Sequence, residues 1–361
     1  MGMTSTKYGG LEKFLLSLIK QSPKSFQYIL VYDDYPKSNQ FVDELKKYNV
    51  EIIVNTIGRF RFISEILSYV KLIIHFRPQI VHFHFSTLHF IGALISKVLR
   101  VPKIYKTQHS CITTTNYAQV TSYEDLPLKQ KLYSFLGNGV KLYTKIFFVS
   151  QYTYNQFVKI YGLSRRYKQV YLGVELPGYK STITKSDLGI AESDAVLASI
   201  LFSNPIKGAD VLIRAMAGIN DSILLLIGLD ESVYTNDLIQ LAKKTGVYNR
   251  IRWIGISDNV SQYLRVCDIY IQPSRTEALS IAACEALSYG KPVIGSNVGG
   301  LPEVSSILFK NEDDIDLSNC ISKLLNDKEL YQDLSNEAYQ EYNLKFNIAQ
   351  SAIRYIEAYN E

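Results

Sequence analysis

The feature that most constrains this chain is an alternation of two hydrophobic periods. From Gln27 onward, short runs rich in β-branched and aromatic residues give way to longer amphipathic stretches and then return. A period of two marks strands and a period near 3.6 marks helices, so the alternation specifies parallel strands joined by helical crossovers. In the first half, strands are expected at Tyr28–Tyr32, Val50–Val54, Ile80–Phe85, Lys103–Thr107, Lys145–Val149 and Gln169–Leu172. In the second half they are expected at Ala195–Leu201, Ser222–Ile227, Ile251–Ile254, Ile269–Gln272, Pro292–Gly295 and Ile307–Phe309. The 361 residues suffice for two ordinary cores, and the expected fold is α/β, two doubly wound domains facing across a cleft. Pro177, Gly178 and a run of Ser, Thr and Lys break the periodicity near Gly173–Ser186. The expected domains are therefore 1–175 and 176–361, with the last helix, about 345–361, a candidate to cross back to the first. One element is anomalous: Gly9-Gly10 before Leu11, Phe14, Leu15, Leu18 and Ile19 reads as the glycine turn that normally follows a first strand, yet only eight residues precede it.

Composition narrows the class. An apolar fraction of 47% excludes a disordered chain, and no apolar run reaches the roughly 18 residues of a membrane-crossing helix. Cys111, Cys267, Cys284 and Cys320 are scattered without a C-x-x-C pair, which suggests neither a disulfide framework nor a zinc knuckle. A reducing, cytoplasmic setting is the expectation, with the inner face of the plasma membrane as a peripheral alternative. Met1-Gly2-Met3-Thr4-Ser5-Thr6 fits the short, unspecific myristoylation pattern. The net charge of +5 hides an asymmetry: residues 1–180 carry 24 Lys+Arg and 10 Asp+Glu, residues 181–361 carry 15 and 24. Either the first domain meets something anionic, or the imbalance serves solubility alone. Nucleic acid is disfavoured because no recognition motif accompanies the charge. Lysines and aromatics interleave through Leu128–Leu136 and Val140–Tyr143, as on a helix lying on anionic lipid or on an ordinary half-buried helix.

The stretch richest in chemistry is Gln272–Leu287 followed by Gly290-Lys291-Pro292-Val293. It places Glu277 at a strand-to-helix turn and Glu285 eight residues later in the early turns of the helix. Free amides at that helix start can receive an anion, and Glu285 can accept hydrogen bonds from the vicinal hydroxyls of a ribose, which suits a sugar nucleotide. Two glutamates so spaced also fit a solvated helical face. Upstream, Lys207-Gly208 follows a strand, where an ammonium beside a glycine is placed to neutralise a departing diphosphate. His82 and His84 share a strand face and can be drawn as metal ligands, but no third ligand is evident. Asp314-Ile315-Asp316 spells D-x-D just before a helix, where capping is the simpler account.

These segments together resemble the retaining glycosyltransferases of family 4, also called glycosyl transferases group 1. The likeness rests on Asn204–Leu212, Ile254-Gly255, Cys267–Ser274, the Glu277 to Glu285 stretch and Gly299–Glu303 in the second half. In the first half it rests on Pro78–His84, Thr107-Gln108-His109 and Gly9-Gly10. It implies the GT-B fold and transfer of a sugar, with retention, from a nucleotide-diphosphate sugar to an acceptor hydroxyl. It further implies catalytic roles for His109, Lys207 and Glu277, and donor contacts from Gly10, Ser203, Asn204, Lys207, Gly208, Gly255, Glu277, Ala278, Leu279, Ser280 and Glu285. No metal and no cofactor beyond the donor co-substrate is expected. The sequence departs from the family where Leu201 and Phe202 stand in place of an arginine, and where Ala278 stands in place of a glycine. The implied partners are the nucleotide-sugar donor, a glycan or lipid-linked acceptor of bacterial capsule or exopolysaccharide assembly, and an anionic membrane surface. A nucleotide-sugar epimerase or hydrolase, and a non-catalytic binding or chaperone subunit, are the competing readings of the same fold.

Overall fold

The structure, a computed structural model, describes residues 10–32, 34–54, 61–84, 89–113, 120, 122–128, 131, 139–175, 183–220, 222–257 and 259–361. The myristoylation pattern, Gly9, the place of the anomalous first strand, Phe85, Lys129, most of Leu128–Leu136 and the Pro177-Gly178 seam lie outside the described residues. The chain forms two compact units, Met1–Leu172 with Ile348–Glu361, and Gly173–Asn347. The division thus falls at 172/173, against the expected 175/176, and again at 347/348, against the candidate return near 345.

In the first unit the described strands are β1 (Tyr28–Tyr32), β2 (Val50–Val54), β3 (Ile80–His84), β4 (Lys103–Gln108), β5 (Lys145–Phe148) and β6 (Tyr167–Gln169). β1 pairs with β2, and the other four form a parallel sheet in the order β3-β4-β5-β6. The last strand sits earlier than the expected Gln169–Leu172. Tyr167 fills the core against Phe148 and Phe157, and the four-residue β5 offers no partner beyond one further bond, from Val170 N–H to the Phe148 carbonyl. Side chains alternate across this sheet as period-two pleating requires. Phe83, Ile104, Ile146 and Phe148 enter a core with Tyr69, Ile73, Ala93, Phe157 and Ile160. On the opposite face His82, Tyr105 and Phe147 meet Tyr355 and Tyr359 of the C-terminal helix Ile348–Asn360. Polar ties fasten that helix to its sheet: Lys103 Nζ donates to the Tyr359 carbonyl at 2.6 Å, Tyr105 Oη donates to the Ala358 carbonyl at 3.1 Å, and Glu361 pairs with Lys145 and Lys168.

The second unit holds β7 (Ala195–Ile200), β8 (Ser222–Ile227), β9 (Ile251–Gly255), β10 (Ile269–Gln272), β11 (Val293–Ser296) and β12 (Ile307–Phe309). They make one parallel sheet in the order β12-β11-β10-β7-β8-β9. β8 is buried along its whole length, which is why it reads as an unbroken apolar run rather than an alternating one. The strand order reverses between β7 and β10. In such sheets the two flanking crossovers leave on opposite faces, opening a crevice beyond the strands' carboxyl ends.

Among the described residues no helix is long and apolar enough to cross a membrane, and no group of three or more His, Cys, Asp or Glu is placed to hold a metal ion. Asp313, just before the D-x-D, caps the helix Asp314–Asn326 by accepting from Asp316 N–H, while Asp314 takes a hydrogen bond from Arg214.

Candidate donor site

The loop after β7 and the turn after β10 meet at the reversal point of the second sheet. Lys207 ends a short turn, Pro205–Lys207, whose start is capped by Asn204 Oδ1 accepting from Ile206 N–H at 2.9 Å. Gly208 follows at φ +68, and a Cβ there would lie 1.9 Å from the Pro273 carbonyl oxygen, so only glycine lets the two loops approach this closely. Across that contact Lys207 Nζ meets Glu277 Oε2 at 2.6 Å, both side chains being largely buried. On its other side the ammonium lies 4.9 Å from the centre of the Phe202 ring, which is itself 54% exposed. The two groups read from sequence as separate phosphate and sugar contacts are therefore one ion pair.

The turn carrying Glu277 is held rigidly. Buried Gln272 accepts from Tyr270 Oη and Ser280 Oγ, each at 2.8 Å, and donates to Ser274 Oγ at 2.8 Å. Ser280 caps the helix Ile281–Ser288 by accepting from Ala283 N–H at 3.1 Å. Ala278 and Leu279 are buried beneath this corner. The Glu277 carbonyl accepts from Gly300 N–H at 2.9 Å, which ties in a third loop. Glu285 lies on the same helix; burial first, and then the carboxylates of Glu285, Glu277 and Glu303, push the Cys284 thiol well up.

Other expected donor contacts are spent locally. Ser203 Oγ accepts from Asp230 N–H at 2.9 Å and bonds Thr235 Oγ1, and Asn204 is occupied by its capping role. Gly255, at φ +67, ends β9 two strands from β7, and its carbonyl accepts from Gly228 N–H. His109 and Gly10 belong to the first unit, where Gly10 opens the helix Gly10–Gln21.

Sequence reasoning passed over Arg275. Its guanidinium grips Asp210 with two bonds, at 3.0 and 2.9 Å, bonds Glu312 at 2.7 Å and donates to the Pro205 carbonyl, while its N–H donates to the Ile206 carbonyl at 2.8 Å. Arg275 therefore clips the Lys207 loop to the Glu277 turn. Burial raises the Asp210 carboxyl, but hydrogen bonds and charge from Arg275 and Arg214 outweigh it and hold the group below its ordinary range. A lowered folded value means this contribution is present above the unfolded 3.8 and is lost only as pH falls through the folded value. Arg275→Ala is expected to cost about 2 kcal/mol, between surface-pair and buried-pair values. Arg275→Lys should recover part of it, since an ammonium lacks the fork. Urea unfolding of the three proteins at pH 7 measures this, and an unchanged midpoint for Arg275→Ala would remove the clip.

The first unit holds a histidine cluster at the ends of β3 and β4. His84 Nδ1 is hydrogen-bonded to His109 Nε2 at 2.9 Å, His82 Nε2 to Thr107 Oγ1 at 2.8 Å, and His82 Nδ1 to Tyr359 Oη. Burial, chiefly, pulls all three imidazoles down, His84 to about 3. His109 is thus neutral at pH 7, able to donate or accept hydrogen bonds but carrying no charge. Because the folded values lie below the unfolded 6.5, the unfolded chain takes up protons first and stability falls as pH drops below that value. The slope is about 1.4 kcal/mol per pH unit for each histidine kept neutral. Denaturant unfolding between pH 7.5 and 5 is expected to show this, with a shallower slope in His84→Asn; equal slopes would show that His84 protonates freely in the folded chain.

Fold and site together define a doubly wound α/β protein with a Lys207–Glu277 ion pair at a sheet reversal. The model for glycosyl transferases group 1 matches residues 181–341, that for glycosyltransferase family 4 matches residues 8–176, and the chain belongs to the family 4 glycosyltransferases. Its fold is accordingly GT-B, with two Rossmann-like domains. It is 26% identical over 271 residues to the N-acetyl-alpha-D-glucosaminyl L-malate synthase of Bacillus anthracis, covering 72% of this chain and 68% of that one. It is 24% identical over 345 residues to a GDP-mannose-dependent monoacylated alpha-(1-6)-phosphatidylinositol monomannoside mannosyltransferase of Corynebacterium glutamicum, covering 89% and 86%. Among solved structures, Anabaena HepE in complex with UDP superposes with a TM-score of 0.79 at 19% identity, covering 99% of this chain and 98% of that one.

Proposed function

We propose that this glycosyltransferase moves a sugar, with retention at the anomeric carbon, from a nucleotide-diphosphate sugar to an acceptor hydroxyl. The observation that carries the reading is the Lys207–Glu277 pair at 2.6 Å, set at the reversal of the second sheet beside a capped helix start. An arriving diphosphate draws the ammonium from Glu277, freeing that carboxylate for the sugar hydroxyls. Lys207 and the free amides of the helix Ile281–Ser288 then stabilise the charge that develops on the leaving phosphate. Glu285 takes the ribose hydroxyls, and no protein nucleophile is needed if the leaving phosphate receives the acceptor's proton. His109, neutral, orients hydroxyls. The acceptor belongs to the first unit and is a lipid-linked or growing bacterial surface glycan, such as capsule or exopolysaccharide. Metal is not required.

UDP in the HepE structure and GDP-mannose in the Corynebacterium enzyme's name support a nucleotide-sugar donor and leave the base open. Calorimetric titration against a panel of sugar nucleotides tests the reading. One donor should bind, and Glu277→Gln and Lys207→Ala should each weaken it. Consumption of that donor at full rate without acceptor would instead make the protein a hydrolase or epimerase, and no binding to any member would leave a non-catalytic subunit.

A further inference from the structure

The first unit carries a surface that its own core does not use. The helices Arg61–Phe76 and His89–Val98 lie side by side over one face of the β3-β4-β5-β6 sheet, contributing Tyr69, Ile73 and Ala93 to a common core and joined by a Tyr69 Oη–Ser96 Oγ bond of 2.9 Å. Their inner faces account for the core, yet their outer faces are not polar. Leu67 and Ile74 on the first helix are 55% and 57% exposed, and Leu94 and Val98 on the second are 44% and 71% exposed. Exposed lysines share those faces: Lys71 stands one turn from both Leu67 and Ile74, and Lys97 one turn from Leu94 and beside Val98. The surrounding sequence is one-sided in charge, since residues 52–123 contain eight Lys+Arg and the single acid Glu65.

Single exposed apolar residues need no explanation, but four aliphatic side chains on two adjacent helices form a patch that water penalises. A basic border narrows what can cover it. A second copy of the same face would bring like charges together, whereas an anionic lipid surface satisfies both components: the apolar side chains enter the headgroup boundary and the lysines meet phosphate. We propose that this two-helix face, rather than the Leu128–Tyr143 stretch, docks the protein on an anionic bilayer. The inference extends the reading of a lipid-linked acceptor, but its test contains neither donor nor acceptor, so each can fail without the other.

The experiment is flotation of the purified protein with vesicles of phosphatidylcholine alone and of equal parts phosphatidylcholine and phosphatidylglycerol. The protein should float with the mixed vesicles and remain behind with phosphatidylcholine. Lys71→Glu with Lys97→Glu should reduce the floated fraction at least about tenfold, because each reversal replaces an attraction by a repulsion. Leu67→Gln with Val98→Gln should reduce the binding that persists in high salt, where charge is screened. The control Lys243→Glu with Lys244→Glu, on a helix of the second unit, should float unchanged. Leu67, Lys71, Lys97, Val98, Lys243 and Lys244 are exposed, and circular dichroism checks that each protein is folded. Equal flotation of wild type and the Lys71/Lys97 variant overturns the assignment. So does loss of flotation only when Lys129, Lys131 and Lys141 are changed to Glu. A dimer in solution that Leu67→Gln with Val98→Gln makes monomeric overturns it as well, and would give the patch to a second copy.

Discussion

Lys207→Ala is expected to lower kcat/KM at least about tenfold, a loss of about 1.4 kcal/mol of transition-state stabilisation. The expectation comes from what the substitution leaves behind as much as from what it removes. In the intact protein the ammonium lies 2.6 Å from the Glu277 carboxylate, with the Phe202 ring on its other side. Truncation takes away the cation and removes its neutralisation of the Glu277 carboxylate, so a departing phosphate loses an attraction and meets more negative charge. Leu201 and Phe202, which stand where the resemblance leads one to expect an arginine, are uncharged and cannot compensate. Lys207→Arg keeps the charge and should lose much less. Steady-state kinetics with the donor found by titration decides the matter, and a Lys207→Ala enzyme with near-normal turnover would end the phosphate role.

The second large effect is expected at Gly299, a residue that touches the site only through backbone. It sits at φ +55, and a Cβ there would lie 1.9 Å from the Glu277 carbonyl oxygen and 3.2 Å from the Glu277 nitrogen. The neighbouring Gly300 N–H holds that same carbonyl. Gly299→Ala must therefore move either its own loop or the Glu277 turn. A loss of at least about 2 kcal/mol is expected, lowering the melting temperature by roughly 4–8 °C for a unit of this size, with donor affinity falling alongside. Gly246→Ala is the control: φ is +74 but no atom lies within 4 Å, so it bears the conformational cost of about 1 kcal/mol alone. Identical melting shifts in the two variants would show that the close approach to Glu277 carries no energy.

Much of this fold was legible because short runs of apolar and β-branched residues, bounded by turn residues, leave a strong mark. Tyr28–Tyr32, Val50–Val54, Ser222–Ile227, Ile269–Gln272 and Ile307–Phe309 lie where apolar runs place them. Most others differ by a residue at an end, where a ladder bond rather than side-chain pattern decides the boundary. Glu277 and Lys207 were legible for a different reason, since each stands in a dense local motif. Arg275 was not, although it lies two residues from Glu277. Its partners are Asp210, 65 residues away, and Glu312, and an arginine in a turn carries no mark of a distant carboxylate. The signal that exists is the motif's own arginine, which no periodicity singles out. Gly299 and Gly300 were seen as a flanking segment, but their grip on the Glu277 backbone was not foreseen. A backbone contact leaves no side-chain signature beyond the glycines themselves.

The sequence alone determined that strands and helices alternate and that the sheets are parallel, and it supplied the side chains whose chemistry is proposed above. These follow from period, burial and residue type, all local properties. Tertiary structure decided that strand order reverses between β7 and β10, that Lys207 and Glu277 therefore share one bond, and that the C-terminal helix Ile348–Asn360 packs with the first unit. It also decided which helix faces stay uncovered, leaving Leu67, Ile74, Leu94 and Val98 in water. The physical reason is common to all of these: pairing and packing join residues far apart along the chain, and no local pattern of polarity records which distant partner a given face or charge will find.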